Sequence, residues 1–423
     1  MLKLERFSIG VGDRFGREAR AQLRALEVAR DQGVLITPVW NKSNREHTLI
    51  GTSPDDTRRR VDEAVRASRW PDGYFIDADH IGLATVDRFI EPCDFFTIDV
   101  ADAIGKPAEA ESVAAYLAAS SRFIGTLRIP NMQASIDVTE ELLKEIARKY
   151  LFAVEEAGRV YRYIVERKGA ANFVTEVSFD EAEAPQTPAE LLFILAALAR
   201  EGIPAGTIAP KFSGAFLKGL DYVGDVPQFT REFKDDLAVV AFAKENFGLP
   251  KDLKLSIHSG SDKFSLYQII YRAVVKANAG VHLKTAGTTW LEEVTGLAAA
   301  GGEGLNLVKD IYFGALARFD ELTKPYFAVI RIDRLQLPSP AEVSAWTGRE
   351  FVEVLRHDPS SSRFNPHFRQ LIHISFRLAA EMGDRFTGLL ERHREAIESY
   401  VTDNLLRNHI EPLFLGLRGR PRT

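Results

Sequence analysis

Short apolar runs alternate with helically spaced stretches from the start of the chain. Residues 7–12 read as a strand, and residues 17–30 then set Ala19, Leu23, Leu26 and Val28 at helical spacing. A second strand follows at 34–39. A helix is expected over 54–68, with Asp55, Asp56 and Asp62 toward its start, where acidic charge suits the helix dipole. The alternation continues with a strand at 73–79, a short helix near 84–89 and a strand at 95–100. Beyond a long helical stretch, strands resume at 172–178, 206–210, 254–258 and 280–284. That makes eight strands, each divided from the next by helix.

Nearly continuous apolar strands with helical crossovers point to a parallel sheet covered by helices. Eight such units within the first 333 residues fit a (β/α)8 TIM-like barrel, typically ~250 residues before insertions. A doubly wound open sheet is the alternative, but Gly10-Val-Gly12-Asp-Arg-Phe-Gly16 lacks the G-x-G-x-x-G spacing of a dinucleotide site. Two stretches stand outside the repeat. Residues 102–171 form a helical insertion, amphipathic across 138–168, suited equally to a lid or a subunit contact. Residues 334–423 form a helical C-terminal extension packed on the barrel. An extra apolar run at 326–332 reads as a ninth strand or a displaced eighth, and the tail at 418–423 as a frayed end.

Composition narrows the class. The 423 residues carry 54 Lys plus Arg against 59 Asp plus Glu, a formal charge of −5, with 45% hydrophobic residues and a single Cys. One cysteine excludes a disulfide framework and a cysteine-based zinc site. No basic stripe suggests nucleic acid, and no run approaches the ~18 apolar residues of a membrane span. Without a cleavable apolar core at its start, the chain is expected to be cytoplasmic.

In a barrel the chemistry lies at the C-terminal ends of the strands. The predicted strands end in Asp13-Arg14, Trp40-Asn41-Lys42, Asp77-Ala-Asp79-His80, Asp99 with Asp102, Glu176, Lys211, His258 through Asp262-Lys263, and His282-Leu-Lys284. Ionisable groups thus converge on one rim. His80, His258 and His282 together suit a catalytic metal centre, although a single histidine at a strand end is more often a satisfied structural residue. His47 and His393 are expected on the solvated surface.

Asp79 and Glu176 are the carboxylates placed for proton transfer, with metal ligation or an ion pair on the rim as the competing roles. Asp77 shares a strand face with Asp79 and suits holding His80 or a lysine. Lys211 and Lys284 suit an enolate, an alkoxide or a substrate carboxylate. Arg363, His367 and Arg369 near a helix start suit either an anion site or a capped helix with exposed arginines.

At these residues the sequence resembles the tagaturonate epimerase family. The resemblance rests on Phe75-Ile-Asp-Ala-Asp-His80, Ala209-Pro-Lys-Phe212, Lys218-Gly-Leu-Asp-Tyr222 and Ser256-Ile-His-Ser-Gly-Ser-Asp-Lys263. It extends to His282-Leu-Lys-Thr-Ala-Gly-Thr-Thr289, Arg369-Gln-Leu-Ile-His373 and Ala379-Ala-Glu-Met-Gly383. It implies a barrel enzyme that interconverts D-tagaturonate and D-fructuronate in hexuronate breakdown with one divalent cation (Zn, Mn, Ni, Co or Fe). By resemblance Asp79 is the proton acceptor, Glu176 its proton-donating counterpart, and His80, His258 and His282 the metal ligands. Lys211, Lys284, Asp262, Lys263, Arg363, His367 and Arg369 are the set expected to meet the small ketouronate. The N-terminal region is short for the family, which leaves part of a lid or cap unaccounted for.

The chemistry adds a constraint of its own. The two ketouronates differ at a carbinol carbon one atom beyond the carbon next to the ketone, so its C–H is not acidified. A β-hydroxyketone can instead undergo retro-aldol cleavage, rotation of the aldehyde fragment and re-addition. A metal-dependent ketose isomerase, 3-epimerase or aldolase, and a non-catalytic uronate binder, are the competing functions. The sequence leaves oligomeric state open.

Overall fold

Eight parallel strands close on themselves in the computed structural model, which describes residues 2–285 and 287–417. They are β1 (Phe7–Val11), β2 (Ile36–Ser43), β3 (Phe75–Ile81), β4 (Phe95–Asp99), β5 (Val174–Ser178), β6 (Ala205–Ala209), β7 (Lys254–His258) and β8 (Val281–Thr285). Each pairs with its neighbour in chain order, and β8 returns to β1 from Phe7↔Val281 to Val11↔Thr285. That closure makes the fold a TIM-like barrel and removes the open-sheet alternative. β2 starts and ends later than its apolar pattern suggests, because Trp40, Asn41, Lys42 and Ser43 continue the ladder opposite Ile76, Asp77, Ala78 and Asp79.

The apolar run at 326–332 is not a ninth strand. A closed barrel offers no free edge to pair with, and the segment leaves a 3-10 turn, Lys324–Tyr326, as irregular chain. His47 is also placed differently from expectation. The helix Asn44–Ile50 folds back directly after β2 and buries the imidazole, whose centroid lies 5.8 Å from that of Phe89. The tail at 418–423 lies outside the described residues.

Between β4 and β5 the chain forms the helix Ala110–Ser120 and a two-stranded hairpin, Gly125–Leu127 with Ile136–Val138. A long helix follows, running from Glu140–Ile146 through a π-helical turn at Ala147–Leu151 into Phe152–Lys168. The last part buries Ala157, Val160 and Ile164 and packs against β4 and the helix Pro188–Arg200, where a crossover helix belongs. Among the described residues no helix is long and apolar enough to cross a membrane.

Past β8 the chain is helical, and a second apolar cluster forms around Trp290, Tyr312, Phe351 and Phe368. The ring centroids of Tyr312 and Phe368 are 4.7 Å apart. The last helices turn back onto the start of the chain. Thr402 Oγ1 donates to the carbonyl of Ala21 at 2.9 Å, and the Phe414 ring lies 5.4 Å from that of Phe7.

A buried charged knot pins this extension to the barrel mouth. Arg369 donates to the carbonyls of Gly219 and Leu355, both at 2.7 Å, and to Asp262 Oδ2 at 2.5 Å. His357 Nδ1 stands 3.1 Å from the same carboxylate, and Lys263 donates to the carbonyls of Leu217 and Leu220. Burial opposes charge on Asp262, but Arg369 and His357 outweigh it and hold the carboxyl well below its ordinary range. Removing one partner of such a pair leaves the other charged and dry. Arg369→Met is therefore expected to lower the unfolding free energy by about 3–5 kcal/mol, read from urea unfolding; a change below about 1 kcal/mol would show that the knot is not structural.

Candidate active site

Strand periodicity sends Asp77 and Asp79 of β3 to the same face, the barrel interior. The next residue would ordinarily point outward. Here the β3–β4 register shifts between Ala78 and Ile81, and His80 takes φ +51°. A left-handed backbone at a non-glycine residue costs on the order of 1–3 kcal/mol and persists only when its surroundings enforce it. The bulge swings the His80 ring back over the mouth. It stands edge-on to His258 from β7, with centroids 5.3 Å apart.

Lys284 of β8 is the centre of the polar interior. Its ammonium lies 2.8 Å from Asp77, 2.8 Å from Asp79 and 3.1 Å from Glu176, and donates to Thr97 Oγ1 at 2.5 Å. Thr207 completes the shell by donating to Glu176 Oε2 at 2.7 Å. Burial alone would strip the charge from Lys284, but the three carboxylates outweigh it and carry the amine well above its usual value. The carboxylates respond unequally. Burial would raise all of them, yet Lys284 holds Asp79 low and, with His258, holds Glu176 well below its ordinary range. Asp77, the deepest, is pushed up to about 7 by burial against the pull of Lys284.

Both rim imidazoles are oriented by acids. His80 Nδ1 donates to Asp99 Oδ2 at 3.1 Å, which leaves Nε2 turned toward Asp79, 3.8 Å away. His258 Nε2 donates to Glu176 Oε1 at 2.8 Å, leaving Nδ1 3.1 Å from Asp180 Oδ2 without hydrogen-bond alignment. Burial opposes charge on His258, and Asp180 and Glu176 hold it up at about 9. Ligand atoms of His80, His258 and Asp180 all lie within 4.8 Å of one another, as do those of His80, Asp99 and Glu181. Two imidazoles with outer carboxylate partners, and a third acid facing both, fit a small divalent cation. The charges fit too, because the carboxylates around the mouth outnumber the cations among them.

The structure thus brings together Asp79, Glu176, His80, His258 and Lys284. It does not bring the other expected residues to this point. His282 precedes Lys284 by two residues on the same face, about 7 Å deeper in the barrel. There its Nδ1 shares a hydrogen bond with Ser8 Oγ at 2.8 Å, and burial lowers its pKa to about 3. Lys211 donates to the carbonyl of Ala182. Asp262, Lys263 and Arg369 are occupied by the buried knot. Arg363 lies on the outer surface between Glu350 and Glu353, and His367 Nδ1 accepts from the Asp333 amide. Asp180 and Glu181 are the acids the sequence reading missed. They lie just past the end of β5, and their signal in the sequence is a pair of acids two and three residues beyond the last strand residue, Ser178.

The sequence model of the tagaturonate epimerase family matches residues 1–413. The tagaturonate/fructuronate epimerase of Thermotoga maritima is 30% identical over 433 aligned positions, covering 96% of this chain and 81% of that protein. The glycerol-complexed crystal structure of the fructuronate-tagaturonate epimerase from Cohnella laeviribosi superposes with a TM-score of 0.80 at 24% identity, covering 97% of this chain and 82% of that one. Its native form gives 0.78, covering 98% and 82%. At that identity the likeness is one of fold.

Lys284→Met would leave Asp77, Asp79 and Glu176 buried without their cation, lowering stability by about 3–5 kcal/mol. The pH response should also change. In the native chain Asp79 and Glu176 titrate below their unfolded values, so their contribution is lost only as pH falls through the acidic range below about pH 5. Asp77, pushed up to about 7, already favours the fold as pH falls from 7 to 5. Without Lys284, burial is less opposed at all three carboxylates, so the gain in stability from pH 7 to pH 5 should be larger than in the native chain. Urea unfolding at the two pH values checks both, and an unchanged pH response would refute the central role of Lys284.

Proposed function

The chain belongs to the tagaturonate epimerase family, and we propose from that premise that it interconverts D-tagaturonate and D-fructuronate at the Lys284-centred mouth, with a divalent cation held by His80, His258 and Asp180. The observation that carries this reading is the juxtaposition of two acid-oriented imidazoles with a triad of inward carboxylates on one ammonium. A cation bound there supplies Lewis-acid polarisation of the ketone.

The chain's own residues supply the proton traffic. Asp79 is held ionised by Lys284 and is the base for the hydroxyl on the carbon to be inverted. Loss of that proton allows the bond to the carbon next to the ketone to break. The products are an aldehyde fragment carrying the carboxylate and an enediolate bearing the electron pair. The aldehyde turns about its remaining attachment, the enediolate carbon attacks its other face, and the new alkoxide recovers a proton. Glu176, itself ionised at rest, is the counterpart in this return. The proton that Asp79 took passes across Lys284, which gives one to Glu176 and recovers one from Asp79, and Glu176 hands it to the alkoxide. It shares the Lys284 ammonium with Asp79, so the lysine links the two acids across the mouth. All atoms are conserved and no external oxidant or reductant is needed.

Three measurements test this. Purified protein should contain about one divalent ion per chain, and His258→Ala and Asp180→Ala should each lose it, while His282→Ala retains it; retention in the first two variants overturns the ligand set. Asp79→Asn should reduce conversion of tagaturonate by about 10²–10⁴-fold, and unchanged turnover removes its role. In D2O the inverted carbon should take up no deuterium; stoichiometric uptake there would sink the cleavage route in favour of deprotonation.

A further inference from the structure

The carboxylates, imidazoles and lysine of the mouth account for the reacting end of a ketouronate and leave its acid group without a partner. Lys211, Arg363 and Arg369 are engaged elsewhere. A different set of cations lies on the loops beyond β1, β2 and β6. Arg14 follows β1, Arg45 lies on the helix after β2, and Lys218 lies on the loop after β6.

These three converge under the C-terminal extension. The Arg45 guanidinium is 4.9 Å from the centroid of Tyr326, and the Lys218 ammonium is 5.5 Å from the centroid of the same ring. The Lys218 amide donates to the carbonyl of Val329 at 2.8 Å, which fixes its loop to the segment carrying Tyr326. Arg14 stacks 4.2 Å from the Phe376 centroid and uses Nε to hold Glu46 at 2.8 Å. Its Nη1 is buried and unpartnered among the described residues, which is costly unless something occupies it. Neither Arg45 nor Lys218 forms an ion pair among the described residues.

The group also adjoins the catalytic mouth. Glu46 lies close enough to Asp79 to act on its charge, and Glu181 lies close enough to both His80 and Lys218. Positive charge dominates locally. Burial, and then Arg14, push Lys218 down to about 8 despite Glu46. Burial and Arg14 together with Lys218 also keep His373 neutral, with both ring nitrogens buried and unpartnered among the described residues. An anion is the group missing from such a place.

We propose that Arg45 and Lys218, backed by Arg14, form the subsite that binds the carboxylate of a sugar acid while its carbonyl end faces the His80–His258–Asp180 group. The identity of the ligand rests on the ketouronate reading above. The subsite selects a uronate over the corresponding neutral ketohexose, and it keeps the carboxylate-bearing fragment tethered while the aldehyde turns.

The test is calorimetric titration of the full-length, metal-loaded protein with D-tagaturonate and with D-tagatose, its neutral counterpart with a hydroxymethyl group in place of the carboxylate. Interconversion does not blur the comparison, since both ketouronates carry the carboxylate. Native protein should bind tagaturonate about tenfold or more tightly than tagatose. Lys218→Met and Arg45→Met, neither at a fully buried position, should each remove most of that preference. A native protein without the preference, or a double variant that keeps it, overturns the proposal. If native protein shows the preference but makes no fructuronate with any divalent metal, the epimerase reading falls and the subsite stands.

Discussion

One buried ammonium surrounded by three carboxylates is the constraint on which the rest of the structure turns. Lys284 cannot be dry and charged without Asp77, Asp79 and Glu176, and none of these can be dry and ionised without it. A barrel interior is ordinarily filled with branched aliphatic side chains. Here the upper layers are polar, so cohesion at the mouth comes from a network whose members must all be present together. The fixed strand register follows from the same demand, since sliding β8 by one residue would turn Lys284 out of the interior.

Around that centre the fold spends conformational strain to aim its imidazoles. A regular β3 would send His80 into the helical layer, away from Asp79. The bulge and left-handed backbone bring it over the mouth, where Asp99 fixes the ring. His258 needs no such device, because it ends its strand and is aimed by Glu176. Two different local solutions therefore deliver the same result, an imidazole with one nitrogen engaged by an acid and the other turned toward Asp79 or Asp180.

Much of this was legible in the sequence, for identifiable reasons. The eight strands were visible because parallel strands buried on both faces are written as apolar runs, and the rim because strand ends carried charge where turns usually carry glycine or proline. Asp79, Glu176, His258 and Lys284 came together as strand position suggested, whereas His80 joined them only through the bulge that turns it inward. Depth was not legible. His282 and Lys284 look equivalent on paper, yet two residues along a strand separate a mouth from a floor. Nor could spacing say which cations were already engaged, since the partners of Arg369 and Lys211 come from segments remote in sequence. Asp180, Glu181, Arg45 and Lys218 lie on loops or a short helix, where periodicity says nothing of direction.

The return of the C-terminal helices to the first strand also bears on how the protein is made. Asp262 waits for Arg369, 107 residues later, and the carbonyl of Ala21 waits for Thr402, 381 residues later. A nascent chain can lay down β1 to β8 while its mouth still lacks Tyr326 and Phe376. At translation rates of about 5–20 residues per second, the last hundred residues take roughly 5–20 s to emerge. Until then the polar interior faces water with its roof missing. Completion of the reactive centre is thus among the last events of biosynthesis, and a ribosome that stops early leaves a closed barrel without its roof.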